Sequence, residues 1–517
     1  MASQDSKISS TSPGSYNYFG NSVGISGINN NTYKIIVGAY NAWNTGNVFI
    51  FSNTSTTTWS QTAVVSTSNI EIGDNFGYSV DISENDNRYI VGAPYKDNNK
   101  GRVYVYNSTN TTIPTELFAP NSGNFGFSVA LNGDGTKAIV GAPYNDSDIS
   151  GNAYTYSYSS STWSLSSHLY PSSPSASALF GYSVHISNDG SRTIVGEPYE
   201  NAENHGAAYI FNSSGNQEAK LSPSDTYIDG NFGYSVNIDS DGNTAVIGSI
   251  GSDNKGAAYV FTRSGTTWTQ EAKLVSSDIT TGDKFGYSVC ISNDGNTVLV
   301  STPFKSSRGA VYVFIRTGGS TWSQRDKILS DDLSTGDNFG NSLAISPNNL
   351  KTIIGAYKET PSNIVSGGSV YSYTLPENYN SNINRITHTE DPEYEDIGTF
   401  ETFNLYINGQ PVENKPTTWP APQTMNAPSM SNIFFGNVEY STNLSTLEPI
   451  SDIKIGNFTL LERNVYDTWD NTPLDFYEEG PPNQMLSVGG EAIIEQKLGI
   501  GIQTPVKPLH VLGDIQI

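Results

Sequence analysis

Short runs in which hydrophobic and polar residues alternate fill the first three quarters of the chain. The fullest example reads FGYSVNI, a polar turn DSDGN, TAVIGS, a loop, GAAYVF and TWTQEAKL, between Phe232 and Leu274. A period of two, with many β-branched and aromatic residues, predicts four strands. No segment keeps an apolar period of 3.6 residues, so we expect very little helix. The pattern predicts an all-β fold.

The four-strand unit repeats along the chain. A Phe-Gly pair introduces each copy, with spacings of 57, 49, 55, 52, 53 and 54 residues, at Phe19, Phe76, Phe125, Phe180, Phe232, Phe285 and Phe339. Asp-Gly pairs mark the turn after the first strand, where glycine supplies a positive φ, at Asp134, Asp189, Asp241 and Asp294. Seven units of four antiparallel strands predict a seven-bladed β-propeller over residues 1–376.

The two ends of this array complement each other. The seventh unit, FGNSLAISPNNLKTIIGAY followed by GGSVYSYTLPEN, lacks a fourth strand. The N-terminal QDSKISSTSPGSYNYFG aligns with NQEAKLSPSDTYIDGNFG, which joins the fourth and fifth units. We therefore predict that residues near Asp5 to Ser9 form the outer strand of the last blade, beside Val370 to Tyr373. This pairing would cover two open sheet edges.

Three of the units read FGYSVDISENDNRYIVGAPY, FGFSVALNGDGTKAIVGAPY and FGYSVHISNDGSRTIVGEPY. These runs resemble FG-GAP repeats, the blades of the integrin α-chain head and of many microbial proteins. The resemblance extends over about 360 residues. It implies a propeller and a tendency towards adhesive roles.

Integrin-type FG-GAP blades often hold Ca²⁺ in a D-x-[DN]-x-D-G-x-x-D loop, because this ion takes six to eight oxygen ligands. The loops here are about one residue shorter, and threonine (Thr193, Thr244 or Thr297) replaces the terminal acid. The weak calcium candidates are Asp239 and Asp241 in the fifth unit. A structural hairpin is the favoured interpretation, so we predict no cofactor and no resident metal, with Ca²⁺ as the less favoured alternative.

Composition and charge narrow the possible functions. The 517 residues include 50 Asp+Glu against 26 Lys+Arg, and the net charge of −24 would repel nucleic acid and anionic membranes. No run approaches the about 18 apolar residues that span a bilayer, and the N-terminal segment does not read as a secretory signal. We expect a protein made in a cytoplasm, with no nucleic-acid partner and no membrane insertion.

No catalytic motif is found. The sequence contains no H-E-x-x-H pair, G-x-S-x-G elbow or phosphate loop, so no catalytic residue is assigned. Carboxylates could still converge from separate loops, as in glycosidases. Cys290 is expected to be an inert buried thiol, and a lone cysteine excludes an intrachain disulfide.

Two recurring features receive structural interpretations. The aspartate of the Gly-Asp pairs before Phe-Gly, as after Gly73, Gly282 and Gly336, is expected to accept backbone N–H groups within a turn. Tryptophans recur in four outer strands, where packing is favoured over stacking on sugar rings, at Trp59, Trp163, Trp268 and Trp322.

The last quarter of the chain has a different pattern. Residues 377–399 are polar and acidic, which is typical of a linker. Within residues 400–484, ETFNLYINGQPV, SNIFFGN and ISDIKIGNFTLLERNVYD predict a small β domain. These pieces resemble the later strands of laminin-G or concanavalin-like sandwiches, which implies that sugar binding is open to this domain.

Residues 485–517 contain GIGIQTPVKPLHVLGDI, from Gly499 to Ile515. This run resembles the G-I-G-x-x-x-P-x-x-x-L-H-V-x-G-D-I element of phage and virus tail-fibre proteins, commonly placed ahead of a self-cleaving chaperone domain. The segment has too little chain to bury its own apolar residues, so neighbouring copies must cover them. We predict a homotrimer formed through a β-rich stem, with oligomerisation residues Ile500, Ile502, Leu509, Val511 and Ile515.

These expectations combine into a virion fibre or spike protein on the virion surface. Its propeller head would bind a host-surface glycan or glycoprotein, and its stem would form the trimer and meet other virion proteins. The loops between second and third strands, such as YKDNNKG at Tyr95 and YNDSDISG at Tyr144, are expected to carry binding. Alternatives are a polysaccharide-degrading tail spike, a secreted microbial adhesin and a purely structural capsid decoration.

Overall fold

The computed structural model describes residues 2–10, 14, 16–29, 32–53, 58–119, 123–144, 150–361 and 364–376. Beyond these it describes only short strands. The chain divides into two compact units, Met1–Tyr379 and Asn380–Ile517. The first unit contains seven four-stranded sheets, and the seven-bladed all-β propeller predicted from the repeat is confirmed.

The strands follow the repeat. The N-terminal strand is β1 (Ser3–Ile8). Blade 1 contains β2 (Ser22–Asn29), β3 (Thr32–Ala39), β4 (Asn47–Asn53) and β5 (Trp59–Val65). Blade 2 contains β6 (Ser79–Ile82), β7 (Arg88–Ala93), β8 (Arg102–Asn107) and β9 (Asn110–Leu117). Blade 3 contains β10 (Ser128–Leu131), β11 (Lys137–Ala142), β12 (Asn152–Ser159) and β13 (Thr162–Leu169). Blade 4 contains β14 (Ser183–Ile186), β15 (Arg192–Glu197), β16 (Ala207–Asn212) and β17 (Gln217–Leu221).

Blade 5 contains β18 (Phe232–Ile238), β19 (Thr244–Ser249), β20 (Ala257–Ser264) and β21 (Thr267–Leu274). Blade 6 contains β22 (Val289–Ile291), β23 (Thr297–Thr302), β24 (Ala310–Gly318) and β25 (Thr321–Ile328). Blade 7 contains β26 (Leu343–Ile345), β27 (Lys351–Ala356) and β28 (Ser369–Thr374). Helix in the described residues comprises α1 (Lys96–Asn99), three 3₁₀ turns at Ala42–Asn44, Ser252–Asn254 and Lys305–Ser307, and the 3₁₀ residue Pro361.

Each blade is an antiparallel meander whose first strand lies innermost. The innermost strand of each blade contacts those of its two neighbours, and β26 contacts β2, so the blades form a closed ring. Residues of the second and third strands are nearly all buried, because they lie between two neighbouring blades. The core is therefore distributed between the blades.

The N-terminal strand completes the seventh blade. The order of that sheet is β1-β28-β27-β26, and β1 pairs antiparallel with β28 from Ser3 opposite Thr374 to Ile8 opposite Val370. A bulge between Gln4 and Ser6 shifts the register by one residue. The side chain of Ile8 is buried beside the first blade, so the strand joins the two ends of the ring.

The Phe-Gly pair joins each blade to the preceding one. The Phe76 N–H donates to the Thr45 carbonyl at 3.1 Å, and the next residue, Gly46, has a φ of +95°. A Cβ on Gly46 would lie 2.0 Å from the Phe76 carbonyl oxygen, so only glycine fits there. The same contact recurs around the ring, at Gly101, Gly151, Gly206, Gly256, Gly309 and Gly368.

The second unit contributes short strands only. Asn384–Ile386 pairs parallel with Ile433–Phe435, and Tyr406–Ile407 pairs antiparallel with Gln410–Pro411. A four-stranded sheet has the order Ala492–Ile494, Phe458–Leu460, Ile453–Ile455, Ile515–Gln516. The predicted linker, small β domain and stem otherwise lie outside the described residues.

Candidate functional site

One face of the propeller carries most of its accessible aromatic side chains. In every blade the chain passes this face twice, at the loop between the second and third strands and at the connection that leads into the next Phe-Gly pair. We call it the loop face. Loops on a rigid scaffold are the usual place for recognition residues, because they can vary without disturbing the core.

Aromatic rings form a nearly continuous belt on the loop face. The residue after the Phe-Gly pair supplies Tyr78, Phe127, Tyr182, Tyr234 and Tyr287, and their successive ring centroids lie 5.1 Å apart up to Tyr287. Neighbouring rings are tilted by 45° to 48°, an arrangement that favours aromatic contacts. The belt continues through three further tyrosines, Tyr40, Tyr18 and Tyr357.

The phenol groups of the belt approach one another. The Tyr234 phenol lies between those of Tyr182 and Tyr287, with ring centroids 5.1 Å away on either side. Burial first, and then the neighbouring phenols, raise the pKa of Tyr78 and Tyr234 well above the usual range. These hydroxyls therefore stay neutral, and each retains both donor and acceptor capacity.

Exposed aromatic residues surround the belt. Phe304 lies 5.8 Å from Tyr287, and Tyr144 lies 5.9 Å from Phe127, measured between ring centroids. The exposed fractions in this group range from 39% to 57%, for Phe304, Tyr144, Tyr16 and Trp43. Rings of this kind, with an apolar face and adjacent polar groups, are suited to stacking on a ligand.

A shallow polar groove opens on the loop face of blade 2. Its volume is about 370 Å³. It lies between the connection from β5 to β6, the loop from β7 to β8, and the outer strand β9. The groove is lined by Ser68, Asn69, Ile70, Glu71, Lys96, Asp97, Arg102 and Glu116.

The equivalent position in three other blades holds an ion pair. In blade 6, Asp278 accepts hydrogen bonds from the Tyr312 hydroxyl at 2.7 Å and from the Lys327 ammonium at 2.5 Å. Burial opposes ionisation, but these donors hold the pKa of Asp278 well below its usual value. Matching lysine–aspartate contacts join Lys273 to Asp225 and Lys7 to Asp332.

Blade 2 breaks this pattern. Asn69 occupies the aspartate position, four residues after the end of the preceding outer strand, and Glu116 occupies the lysine position opposite Tyr104. The Asn69 amide donates to Glu116 Oε1 at 2.6 Å and accepts from the Tyr104 hydroxyl at 3.2 Å. Blade 2 thus has an open groove where blades 5, 6 and 7 have a lysine, whereas its neighbours, blades 1 and 3, have Val64 and His168 at the lysine position.

The two calcium candidates lie in the turn between β18 and β19, away from the loop face. Asp239 Oδ1 accepts the N–H groups of Asn243 and Thr244 at 2.8 and 2.9 Å, and Asp241 also accepts from Asn243. Ser83, Ser187, Ser292 and Ser346 make the same contact in other blades. Burial raises the pKa of Asp239 to about 7. Within the described residues, no three acidic, histidine or cysteine side chains are grouped as a metal site.

The other residues singled out in the sequence have the following positions. Cys290 is buried, and burial raises its thiol pKa to about 12. The Trp322 indole donates to Glu271 at 2.6 Å, in keeping with a packing role on an outer strand. Asp74, Asp283 and Asp337, which follow the Gly of the Gly-Asp pairs, each accept a backbone N–H three residues back, as predicted.

The predicted binding loops are partly described. Tyr95 contacts Tyr78 in the belt, with centroids 6.1 Å apart, and the following residues, Lys96 and Asp97, line the groove. Residues 145–149 of the second loop lie outside the described residues, as do Ile500, Ile502, Leu509 and Val511. Ile515 lies in a two-residue strand that pairs with Ile455.

The sequence contained unused signals for both features of the loop face. Tyrosine or phenylalanine follows Phe-Gly in five of the seven units, which marks the belt. In blade 2, Asn69 and Glu116 stand at the positions of the aspartate and lysine of blades 5, 6 and 7, and blades 1, 3 and 4 lack the complete pair as well. Recognising either signal requires aligning the units strand by strand.

Comparison with known proteins adds one finding. A family model described as FG-GAP repeat matches residues 59–106, 121–156, 163–211, 216–261, 268–314 and 322–373, together more than half of the chain. The first three strands of blade 1 fall outside these matches, although with β5 they form a four-stranded sheet like those of the other blades. No curated protein matches the chain. In the part of the chain that the structure describes, no helix combines the length and apolarity needed to cross a membrane.

Proposed function

The chain belongs to the FG-GAP repeat family, and from this membership and the aromatic loop face we propose that the propeller is an attachment head for a host-surface glycan or glycoprotein. A β-propeller of FG-GAP repeats suggests a binding or adhesion role. The observation that carries the proposal is the belt of half-buried rings, with exposed Tyr144 and Phe304 in ring contact with it and exposed Trp43 in a loop of the same face.

Aromatic rings and phenol hydroxyls together match the surface of a sugar. The C–H face of a pyranose packs on a ring, while its hydroxyls exchange hydrogen bonds with neutral phenols. The acidic composition of the chain favours uncharged ligands over polyanions, because long-range repulsion lowers the encounter rate with anions. Attachment needs no catalytic group.

We further propose that the protein is displayed as a trimeric virion fibre or spike. The support is the resemblance of the segment from Gly499 to Ile515 to tail-fibre stems. Three heads on one stem would bind a cell surface with an avidity far above that of one head, because the second and third contacts become intramolecular. The stem would also contact other virion proteins.

The head is tested on a glycan array with the full chain. We expect binding that falls in the variants Trp43→Ala, Tyr144→Ala and Phe304→Ala. The control is Leu165→Ala, which removes an apolar side chain of similar exposure, 46%, on an outer strand away from the belt. A chain that binds no glycan or glycoprotein, or variants that all bind as well as the control, would refute the proposal.

Two further measurements address the alternatives. Release of reducing ends from a bound polysaccharide would replace attachment by a polysaccharide-degrading tail spike. Analytical ultracentrifugation of the full chain tests the stem, and a trimer is expected. A clean monomer would remove the fibre proposal and leave a secreted adhesin as the better description.

A further inference from the structure

The groove of blade 2 differs from blades 5, 6 and 7 at two positions, where Asn69 replaces the aspartate and Glu116 replaces the lysine. In blades 5, 6 and 7 the third-strand tyrosine, an aspartate and an outer-strand lysine form one cluster, with lysine–aspartate distances of 2.5, 2.5 and 2.6 Å. Each of these lysines also lies over its tyrosine ring, at 5.4 to 5.6 Å from the centroid. The lysine chain therefore covers the ring and fills the position.

Blade 2 keeps the tyrosine and the supporting hydrogen bonds but has no lysine side chain over the tyrosine ring. The Thr67 hydroxyl donates to Asn69 Oδ1 at 3.0 Å, as Ser276 and Ser330 donate to their aspartates in blades 6 and 7. The backbone is thus built in the same way, while Glu116 replaces the lysine. Blades 5, 6 and 7 carry an aspartate–lysine pair on the same backbone, so folding does not require Asn69 and Glu116 at these positions.

We propose that this groove, lined by Asn69, Asp97, Arg102 and Glu116, binds one uncharged sugar ring of the glycan. The inference rests on the proposed attachment function and names its ligand class and position. Glu116 and Asp97 accept hydrogen bonds, whereas the Arg102 guanidinium and the Asn69 amide donate them. Vicinal hydroxyls of a pyranose need this mixture of planar donors and acceptors.

An aromatic platform stands beside the groove. The Phe118 ring is 63% exposed, and the Arg102 guanidinium lies 5.4 Å from its centroid. Arg102 is also held by Asp97 at 2.8 Å. One side chain thus connects the polar groove to an exposed ring on which a sugar can stack.

Size and charge select the ligand class. The volume of about 370 Å³ is near the lower end of small-molecule sites, which suits one sugar ring. Glu71, Asp97 and Glu116 outnumber the cations Lys96 and Arg102. Both cations already have carboxylate partners, since Lys96 contacts Asp74 at 3.1 Å and Arg102 contacts Asp97. The groove therefore favours neutral hexoses over sialic or uronic acids.

The decisive variant introduces the aspartate–lysine pair of blades 5, 6 and 7. Asn69→Asp combined with Glu116→Lys rebuilds the ion pair and fills the groove, so the protein should fold while sugar binding is lost. The matched control is Asp278→Asn combined with Lys327→Glu, which makes the opposite exchange in blade 6. Calorimetric titration of each full chain with neutral monosaccharides and sialic acid gives the readout.

A second variant tests the platform. Phe118→Ala should weaken binding about tenfold, whereas Tyr170→Ala, which removes the exposed ring at the same place in blade 3, should not. Loss of binding in the refilled variant but not in the blade 6 control supports the groove. A glycan-binding chain whose affinity survives refilling, or which prefers sialic acid, refutes the groove and leaves the proposed function intact. A wild-type chain that binds no glycan refutes both.

Discussion

The pairing of β1 with the last blade makes a quantitative prediction at Asp5. Asp5 Oδ2 lies 2.8 Å from the Lys351 ammonium, and both side chains are only 6% exposed. Asp5 also accepts hydrogen bonds from the hydroxyls of Thr374 and Ser372, at 2.7 and 3.2 Å. Asp5→Ala would leave a buried ammonium without its carboxylate.

The expected cost follows from this burial. Removing one partner of a buried ion pair typically destabilises a protein by about 3–5 kcal/mol. That loss is a large fraction of the about 5–15 kcal/mol by which domains are stable. Asp331→Ala is the control, because Asp331 is an exposed carboxylate, and its removal should cost under about 0.5 kcal/mol.

Urea denaturation, monitored by tryptophan fluorescence, gives the shift in the unfolding midpoint. Hydrogen exchange shows whether Ser369–Thr374 loses protection. The double variant Asp5→Leu/Lys351→Met should recover most of the loss, because apolar residues replace buried ion pairs at little cost. If Asp5→Ala keeps both the wild-type midpoint and the protection of β28, then this ion pair does not hold the ring closed.

Three further outcomes are expected. Burial raises the pKa of Glu197 to about 7, so the folded state holds a proton that the unfolded state releases near pH 4. The free energy of unfolding should therefore fall as the pH rises from about 4 to 7. In urea titrations at several pH values, Glu197→Gln should remove about 3 kcal/mol of that fall. A pH dependence identical to wild type would contradict this assignment. Gly46→Ala should destabilise the protein strongly or prevent folding, because a Cβ there meets the Phe76 carbonyl oxygen. The control Gly265→Ala, at a φ of +62° with open space around it, should cost only about 1–2 kcal/mol in the same assay. Equal losses would mean that the contact between blades is unimportant. Asp239→Ser should leave the fold intact, because serine makes the same turn contact in four other blades. It should raise the free energy of unfolding at pH 8, because the buried Asp239 carboxyl is ionised at that pH. If calcium raises the melting temperature of the wild type but not of this variant, Asp239 is a calcium ligand.

Much of the propeller could be predicted because its determinants are local and repeated. Alternation with a period of two, turn residues such as Gly135 and Gly242 at positive φ, and the Phe-Gly pair act within a few residues. Seven copies average out the ambiguity of any single copy. The pairing of β1 with β28 is not local, yet it could be predicted because one unit lacked a strand that the N-terminus supplied.

Contacts between blades could not be predicted in this way. Glu84 accepts hydrogen bonds from Asn188 and Asn293, which are 104 and 209 residues away and belong to non-neighbouring blades. The rings of Tyr182 and Tyr234 meet only because ring closure places equivalent residues of successive blades about 5 Å apart. Sequence spacing contains no information on such distances.

The sequence by itself determined the strands, the turns, the number of blades and the glycine contacts, because each depends on backbone conformation repeated in every unit. The tertiary structure decided which side chains share a surface. Asn69, Arg102 and Glu116 are unremarkable as sequence, and they line one groove only because three separate segments meet at blade 2 without an outer-strand lysine to fill the space. Packing across the fold, which depends on distance in space, decided the candidate site.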